Sequence, residues 1–247
     1  MPTDYDPIAE LYQLSKRQPW RTHVEAHTLL GLIGDVSGLS VLDVACGEGF
    51  YTRLLKQRGA SRVVGVDLSA GMVELARTQE AGHRLGISYQ VGDARNLAFD
   101  GEFDLVVAAY LLNYARDRSE LAAMCAGIAR CLKPGGRFVT VNSNPATHFP
   151  TVPSFRKYGF EAANAGTGNW REGSPIRWKF YLDGQAFEIE NYYLDVAAHE
   201  VALTAAGFLN IRWHAPQLAP QGEADFGLDF WSLLLTQCPV AFLECTR

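Results

Sequence analysis

The chain has 247 residues, 48% of them hydrophobic and 20% charged, with a formal net charge of −5. That length supports one large domain with a substantial core, and the negative balance, with no long Lys/Arg stripe, argues against a nucleic-acid partner. No run approaches the ~20 apolar residues of a membrane span, the opening MPTDYDPIAELYQLSKRQPW lacks a signal-peptide core, and five scattered cysteines lack metal-ligand spacing. The expectation is a cytoplasmic protein with reduced thiols, no bound metal, no membrane partner and an oligomeric state left open.

Between Thr22 and about Lys133, helical and strand patterns alternate with short connections. A helix around Val24–Ile33 leads to a strand at Val41–Ala45, and a helix near Tyr51–Arg58 follows. Val63–Asp67 is a strand, then Ser69 caps a helix from Ala70 to about His83. Ile87–Val91 and Phe103–Tyr110 read as the third and fourth strands. Asp117 and Glu120 form a capping box that opens a helix to about Cys131. The KPGG of Lys133–Gly136 stops that helix, and Phe138–Val141 is the fifth strand. After a loop-rich stretch come a hairpin, a helix near Val196–Ala206, and closing strands at Phe208–Trp213 and Val240–Cys245. Strands and helices alternating at this spacing imply a parallel sheet with right-handed crossovers, covered on both faces.

The segment VLDVACGEGF, Val41–Phe50, places a glycine turn between a strand and a helix, where a nucleotide commonly sits. A P-loop needs Lys-Ser or Lys-Thr after the glycines, and neither follows. A dinucleotide fingerprint needs a third glycine where this chain has Thr52. Asp43 and Glu48 add negative charge to the loop, which repels a pyrophosphate but suits a cationic ligand end such as the ammonium and sulfonium of S-adenosylmethionine. Asp67, 18 positions past Gly49, is placed to accept from both ribose hydroxyls. Asp93, in VGDA after the third strand, is placed to accept from an adenine amino group.

Asp43-x-x-x-Gly47-x-Gly49, GVDLS (Gly65–Ser69), GDA (Gly92–Ala94), FDLVVAAYLLNY (Phe103–Tyr114) and LKPGG (Leu132–Gly136) occur in register from about Val41 to Val141. In these segments the chain resembles the class I S-adenosylmethionine-dependent methyltransferases. The resemblance implies an α/β fold: a Rossmann-like, doubly wound, mostly parallel seven-stranded sheet with an antiparallel last strand, here with an inserted β-hairpin cap. It implies one methyltransferase domain over 1–247, with an N-terminal lid segment at 1–21 and a cap at 143–195. It also implies that the backbone around Ala45 and Gly47 holds the cofactor's ammonium. The adenine then lies near Leu68, Met72 and Ala94, and the backbone at Ala109 faces the methionine portion. Tyr5 and Tyr12 of the lid are expected to line the site, with Arg21 meeting the methionine carboxylate. More loosely, GDVSG (Gly34–Gly38), NYA (Asn113–Ala115) and KYG (Lys157–Gly159) resemble the toxoflavin-type azapteridine N-methyltransferases. A general resemblance to quinone-type C-methyltransferases stands behind that one.

Roughly fifty residues lie between the fifth strand and the helix near Val196, against the usual short connection. They are rich in aromatics, among them Trp170, Trp178 and Phe180, and are expected to shape the pocket of a small-molecule acceptor. Asp183-Gly184 sets a two-residue hairpin turn that pairs Leu182 with Gln185, Phe180 with Phe187, and Trp178 with Ile189. The opposite face pairs Lys179 with Glu188 and Arg177 with Glu190, leaving only Arg156, Lys157 and Arg171 for an anionic acceptor. Tyr110, Asn113 and Tyr114 should approach the acceptor from the sheet side. His148 is the best-placed side chain for a general base, whereas His199 and His214 fall in later structural elements. The expected activity is N-methylation of a planar nitrogen heterocycle in secondary metabolism. C- or O-methylation of a quinone, phenol or carboxylic acid is the alternative within the class, and a non-catalytic cofactor-binding protein the alternative outside it.

Overall fold

The computed structural model describes residues 8–164, 169–182 and 184–247. Its main sheet has seven strands: β1 (Ser40–Val44), β2 (Arg62–Asp67), β3 (Ser88–Val91), β4 (Phe103–Ala109), β5 (Leu132–Ser143), β9 (Leu209–His214) and β10 (Val240–Thr246), in the order β3-β2-β1-β4-β5-β10-β9. The first five run parallel, and β10 lies antiparallel between β5 and β9. The expected doubly wound sheet is therefore present, and the order reverses between β1 and β4, where such sheets open a crevice beyond the strand ends.

Alternation along the strands sorts two cores onto opposite faces. On one face Val41, Val63, Leu105 and Val139 pack with the helices α2 (His27–Ile33), α3 (Phe50–Gln57) and α4 (Ala70–His83). On the other Leu42, Val44, Val106 and Phe138 pack with α5 (Arg118–Cys131) and α6 (Val196–Ala205). Period-two alternation thus turns Asp43 toward the side of α3. Short helix α1 (Ala9–Ser15) precedes this body, and a π-helical turn, Arg21–Ala26, runs directly into α2.

Three features differ from the sequence reading. The KPGG segment lies inside β5, where the register with β4 jumps from Phe103↔Leu132 to Leu105↔Arg137 and Gly135 takes a φ of 75°. The helix ends as expected, but the chain returns as an irregular strand without an intervening loop. The inserted hairpin is part of a three-stranded antiparallel sheet: β6 (Phe160–Asn164), β7 (Pro175–Leu182) and β8 (Gln185–Tyr192). The β7–β8 register is the one anticipated, Trp178↔Ile189 and Phe180↔Phe187 among its pairs. The turn residue Asp183 lies outside the described residues. Third, α7 (Pro220–Phe226) and α8 (Leu228–Thr236) occupy the connection to β10. The short apolar run of α8 carries no cap signal, so only its packing makes it a helix: Trp231 is fully buried and stacks on Tyr158 at 5.8 Å.

Candidate active site

Beyond the carboxyl ends of β1, β2 and β4 lies a cavity of about 620 Å³. Two non-glycine residues at its edge have left-handed backbone, Ala45 (φ 58°) just past β1 and Tyr110 (φ 66°) just past β4. Such conformations cost about 1–3 kcal/mol and persist where surrounding contacts fix them, a pattern typical of binding sites. Around Tyr110 the backbone N–H donates to the Val141 carbonyl at 2.7 Å, and the side-chain hydroxyl donates to Glu25 at 2.5 Å.

The glycine turn is braced from below. Gly47 and Gly49 both take positive φ, 55° and 85°. A side chain at Gly49 would run into the Tyr89 hydroxyl, whereas one at Gly47 would project toward Tyr12 across the cavity wall. Asp67 accepts from the Gly47 N–H at 2.7 Å and from the Ser69 N–H at 2.9 Å, so one carboxylate ties the turn to the end of β2. Thr52, in the third-glycine position, donates its hydroxyl to Asp43 at 2.6 Å. The departure from the dinucleotide pattern thus has a local purpose, to satisfy a buried acid.

The loop is less negative than its sequence suggests. Glu48 is buried and held by Arg53 at 2.6 Å and by Gln79 at 3.0 Å, which neutralises it. Burial pushes the Asp43 carboxyl up to about 7, against the Thr52 hydrogen bond that favours ionisation. Asp67 and a titrating Asp43 remain as the acids of this wall, both lining the cavity with Ala45 and Gly47. Leu68, Met72, Asp93, Ala94 and Ala109 line it as well. Asp93 caps the following turn through the Arg95 N–H and pairs with the Arg95 side chain, whose hydrogen bonds hold its carboxyl below the usual range.

A charged cluster beside the cavity is what the sequence did not disclose. Glu25 is fully buried and accepts from Arg21 at 2.7 Å, from Tyr51 at 2.8 Å and from Tyr110. Burial alone would raise its carboxyl, but Arg21 and then Lys16 outweigh it and hold the group ionised. Arg21, expected at the cofactor carboxylate, is absent from the cavity lining and spends its charge in this pair. Lys16 lines the cavity instead, with its ammonium 3.8 Å from Glu25 and 5.1 to 5.7 Å from the ring centres of Tyr12, Tyr51 and Tyr110. Two cations against one carboxylate leave the cluster with a net positive charge. No spacing rule ties Lys16 and Glu25 to the glycine turn, so only the fold brings them together. Tyr12 lines the cavity as expected, and Tyr5 lies outside the described residues.

On the acceptor side, Tyr110 and Tyr114 line the cavity, joined by Tyr192 of β8. Asn113 is buried behind them, and neither its amide oxygen nor its amide nitrogen has a partner among the described residues. Trp178 and Phe180 lie in the aromatic core of the cap, 6.5 Å apart and away from the open cavity. Trp170 packs on Phe149 and Tyr193. His148 lies apart from the main cavity, in a separate recess with Thr151 and Gln237, its Nδ1 3.0 Å from the Thr151 hydroxyl. The geometry thus separates His148 from the cavity lined by Asp43 and Asp67. Arg177 and Lys179 both approach Glu188, at 3.6 and 3.5 Å, on the solvated face of the cap. Arg156 faces Glu161 and stacks over Tyr181.

Residues 41–136 match a family model described as a methyltransferase domain. The chain is 32% identical over 161 residues to a demethylmenaquinone methyltransferase of Lactococcus lactis, a match covering 63% of this chain and 58% of the relative. It is 28% identical over 173 residues to the N-demethylindolmycin N-methyltransferase of Streptomyces griseus, covering 68% of each. Less than two thirds of the Lactococcus relative is therefore spanned. In three dimensions, an S-adenosylmethionine-dependent methyltransferase from Mesorhizobium loti superposes with a TM-score of 0.63 at 21% identity, over 94% of this chain and 100% of that one. Residues 41–136 accordingly match a methyltransferase domain, and the chain's Rossmann-like sheet shares the fold of the Mesorhizobium loti S-adenosylmethionine-dependent methyltransferase.

Proposed function

We propose that the protein is an enzyme that transfers a methyl group from S-adenosylmethionine to a small planar acceptor. The observation that carries this reading is the charge layout of the cavity. Asp43, Asp67 and the Ala45–Gly47 backbone line the cavity together with the Lys16 ammonium, which is close enough to Asp43 to favour its carboxylate. A zwitterionic amino-acid end fits between them, with its ammonium toward the acids and its carboxylate toward Lys16. Asp67 is then positioned for a ribose diol, and Leu68, Met72 and Ala94 for an apolar adenine face. The cofactor supplies an electrophilic methyl group whose departure leaves a neutral thioether, so no acid is required. The chain's residues align the reactants and exclude water, an effect worth ~7–11 kcal/mol when the geometry is right.

N-methylation of a nitrogen heterocycle is the favoured acceptor chemistry. It rests on the aromatic cap and on the absence of a histidine among the described residues that line the cavity. C- or O-methylation of a quinone or phenol is the second reading, favoured by the likeness to a demethylmenaquinone methyltransferase, while the N-methyltransferase relative favours the first. Calorimetry tests the cofactor assignment. Asp67→Ala and Lys16→Met should each weaken S-adenosylmethionine by about tenfold or more, since charge-assisted hydrogen bonds contribute ~1.5–3 kcal/mol. Unaltered affinity in both variants, or tighter binding of NAD by the wild type, overturns it.

A further inference from the structure

The buried carboxylate of Glu25 has no part in the cofactor reading above, yet it meets three side chains that line the cavity: Lys16, Tyr51 and Tyr110. Its two oxygens are used differently. Oε2 accepts from Arg21 at 2.7 Å and from the Tyr110 hydroxyl, while Oε1 accepts from the Tyr51 hydroxyl at 2.8 Å. The Lys16 ammonium stands on the Oε1 side at 3.8 Å, too far for a hydrogen bond. The Lys16 side chain is only 7% exposed, and its ammonium forms no hydrogen bond among the described residues. The rings of Tyr12, Tyr51 and Tyr110, 5.1 to 5.7 Å away, attract the charge without taking its N–H donors. A buried ammonium at a cavity with three unspent donors is equipped to meet an anion.

A second acid competes for the same cation. Asp43 lines the cavity too, and Lys16 favours its carboxylate form, although the two make no ion pair within 4 Å among the described residues. If they closed into one, the cavity would lose its partner for a carboxylate and one of its partners for an ammonium together. Burial opposes ionisation of both acids. Arg21 and then Lys16 overcome it at Glu25, whereas Asp43 is left pushed up to about 7. The ammonium stays beside the acid that is charged throughout.

We infer that Glu25 is a positioning residue for cofactor binding: it holds the Lys16 ammonium away from Asp43, so that the opposite charges of the cavity stay apart and open to a zwitterion. This role rests on the methyltransferase reading above and adds to it the residue that keeps its two charged partners from cancelling. Glu25 touches no ligand in it and acts through Lys16.

The test compares two ligands by calorimetry on the full chain. S-adenosylhomocysteine carries the zwitterionic end, and 5′-methylthioadenosine carries the same nucleoside and thioether without it. Glu25→Gln should weaken S-adenosylhomocysteine about tenfold and alter 5′-methylthioadenosine by less than about twofold. Placed on Lys16→Met, Glu25→Gln should cost nothing further, because both changes remove one function. Glu25→Gln leaves Arg21 buried without its partner, so cooperative melting is checked first. If melting is lost, Arg21→Met combined with Glu25→Gln, which removes the buried pair as a whole, replaces the single variant in both comparisons. The inference is overturned if S-adenosylhomocysteine affinity is unaltered, or if it rises, as loss of a negative charge near the ligand's carboxylate would by itself produce. It also falls if both ligands weaken alike, the mark of general damage, or if the losses from Glu25→Gln and Lys16→Met add in full. Failure of S-adenosylhomocysteine to bind the wild type would instead remove the cofactor reading, and this role with it.

Discussion

Asp43 sits at the balance between burial, which raises its carboxyl to about 7, and the Thr52 hydroxyl, which favours the carboxylate. A cationic ligand end needs that carboxylate, so below pH 7 binding must expel a proton. S-adenosylmethionine affinity is therefore expected to rise with pH by up to about tenfold per unit below 7 and to level off above. Calorimetry between about pH 6 and 8.5 checks this, and Asp43→Asn should flatten the profile. In the ligand-free protein the dependence runs the other way. The folded pKa lies above the unfolded value of 3.8, so the contribution of protonated Asp43 is complete at low pH and is lost as pH climbs through 7. The wild-type melting temperature should fall across that range more than that of Asp43→Asn. Lys16 carries a different lesson at this scale. Arg21 and Lys16 are equally cationic in the sequence, and only the location of Glu25 decides which one is consumed.

At the scale of elements, the Gln18 side chain hydrogen-bonds the segment following α1 to the cap. Gln18 Nε2 donates to the carbonyls of Gly159 and Tyr181 at 2.9 and 3.0 Å, and its Oε1 accepts from the Trp20 indole at 3.1 Å. Gln18→Leu removes this partner from the Tyr181 carbonyl and the Trp20 indole, at about 1–3 kcal/mol for each where it is left unpaired and buried, while the Gly159 carbonyl keeps the Tyr181 N–H. Hydrogen exchange should quicken in β7 and β8 while β1, β4 and β5 keep their protection. Equal loss across both sheets would show that Gln18 supports the whole fold and not this junction. The cap strands also show the reach of local reasoning. The alternation of β7 and β8 and their turn fixed a register that the structure reproduces. The third strand, FEAAN, is separated from β7 by the ten residues 165–174 in place of a two-residue turn, so no register followed from the sequence.

Across the whole molecule, the inserted cap shares the core of the sheet it covers. Trp20, Phe149, Phe160, Trp178, Phe180 and Trp231 belong to one buried cluster with Val41, Leu105 and Val139 of the main sheet. Trp20 and Phe160, from the N-terminal segment and the cap, lie 4.6 Å apart. An element with no separate core does not melt by itself. Thermal unfolding followed by near-ultraviolet and far-ultraviolet dichroism should give coincident transitions, and saturating S-adenosylmethionine should shift both upward together. An earlier aromatic transition would make the cap an independent unit and overturn the reading of 1–247 as one domain.

The sequence by itself determined the parallel sheet, the glycine turn with Asp67 beyond it, and the hairpin register, because each follows from short-range rules. Alternation, capping and turn chemistry act over a few residues and survive without knowledge of the rest. Of the residues read from the sequence as cofactor-binding, Asp43, Ala45, Gly47, Asp67, Leu68, Met72, Asp93, Ala94 and Ala109 line the cavity, and Gly49 does not. Tertiary structure decided which charges remain available. Glu48 is cancelled by Arg53, Arg21 by Glu25, and His148 is carried into another recess, whereas Lys16 is delivered to the cavity wall. Whether a charge is spent or presented depends on partners as far apart in the chain as Glu25 and Tyr110, and on burial that no local pattern encodes.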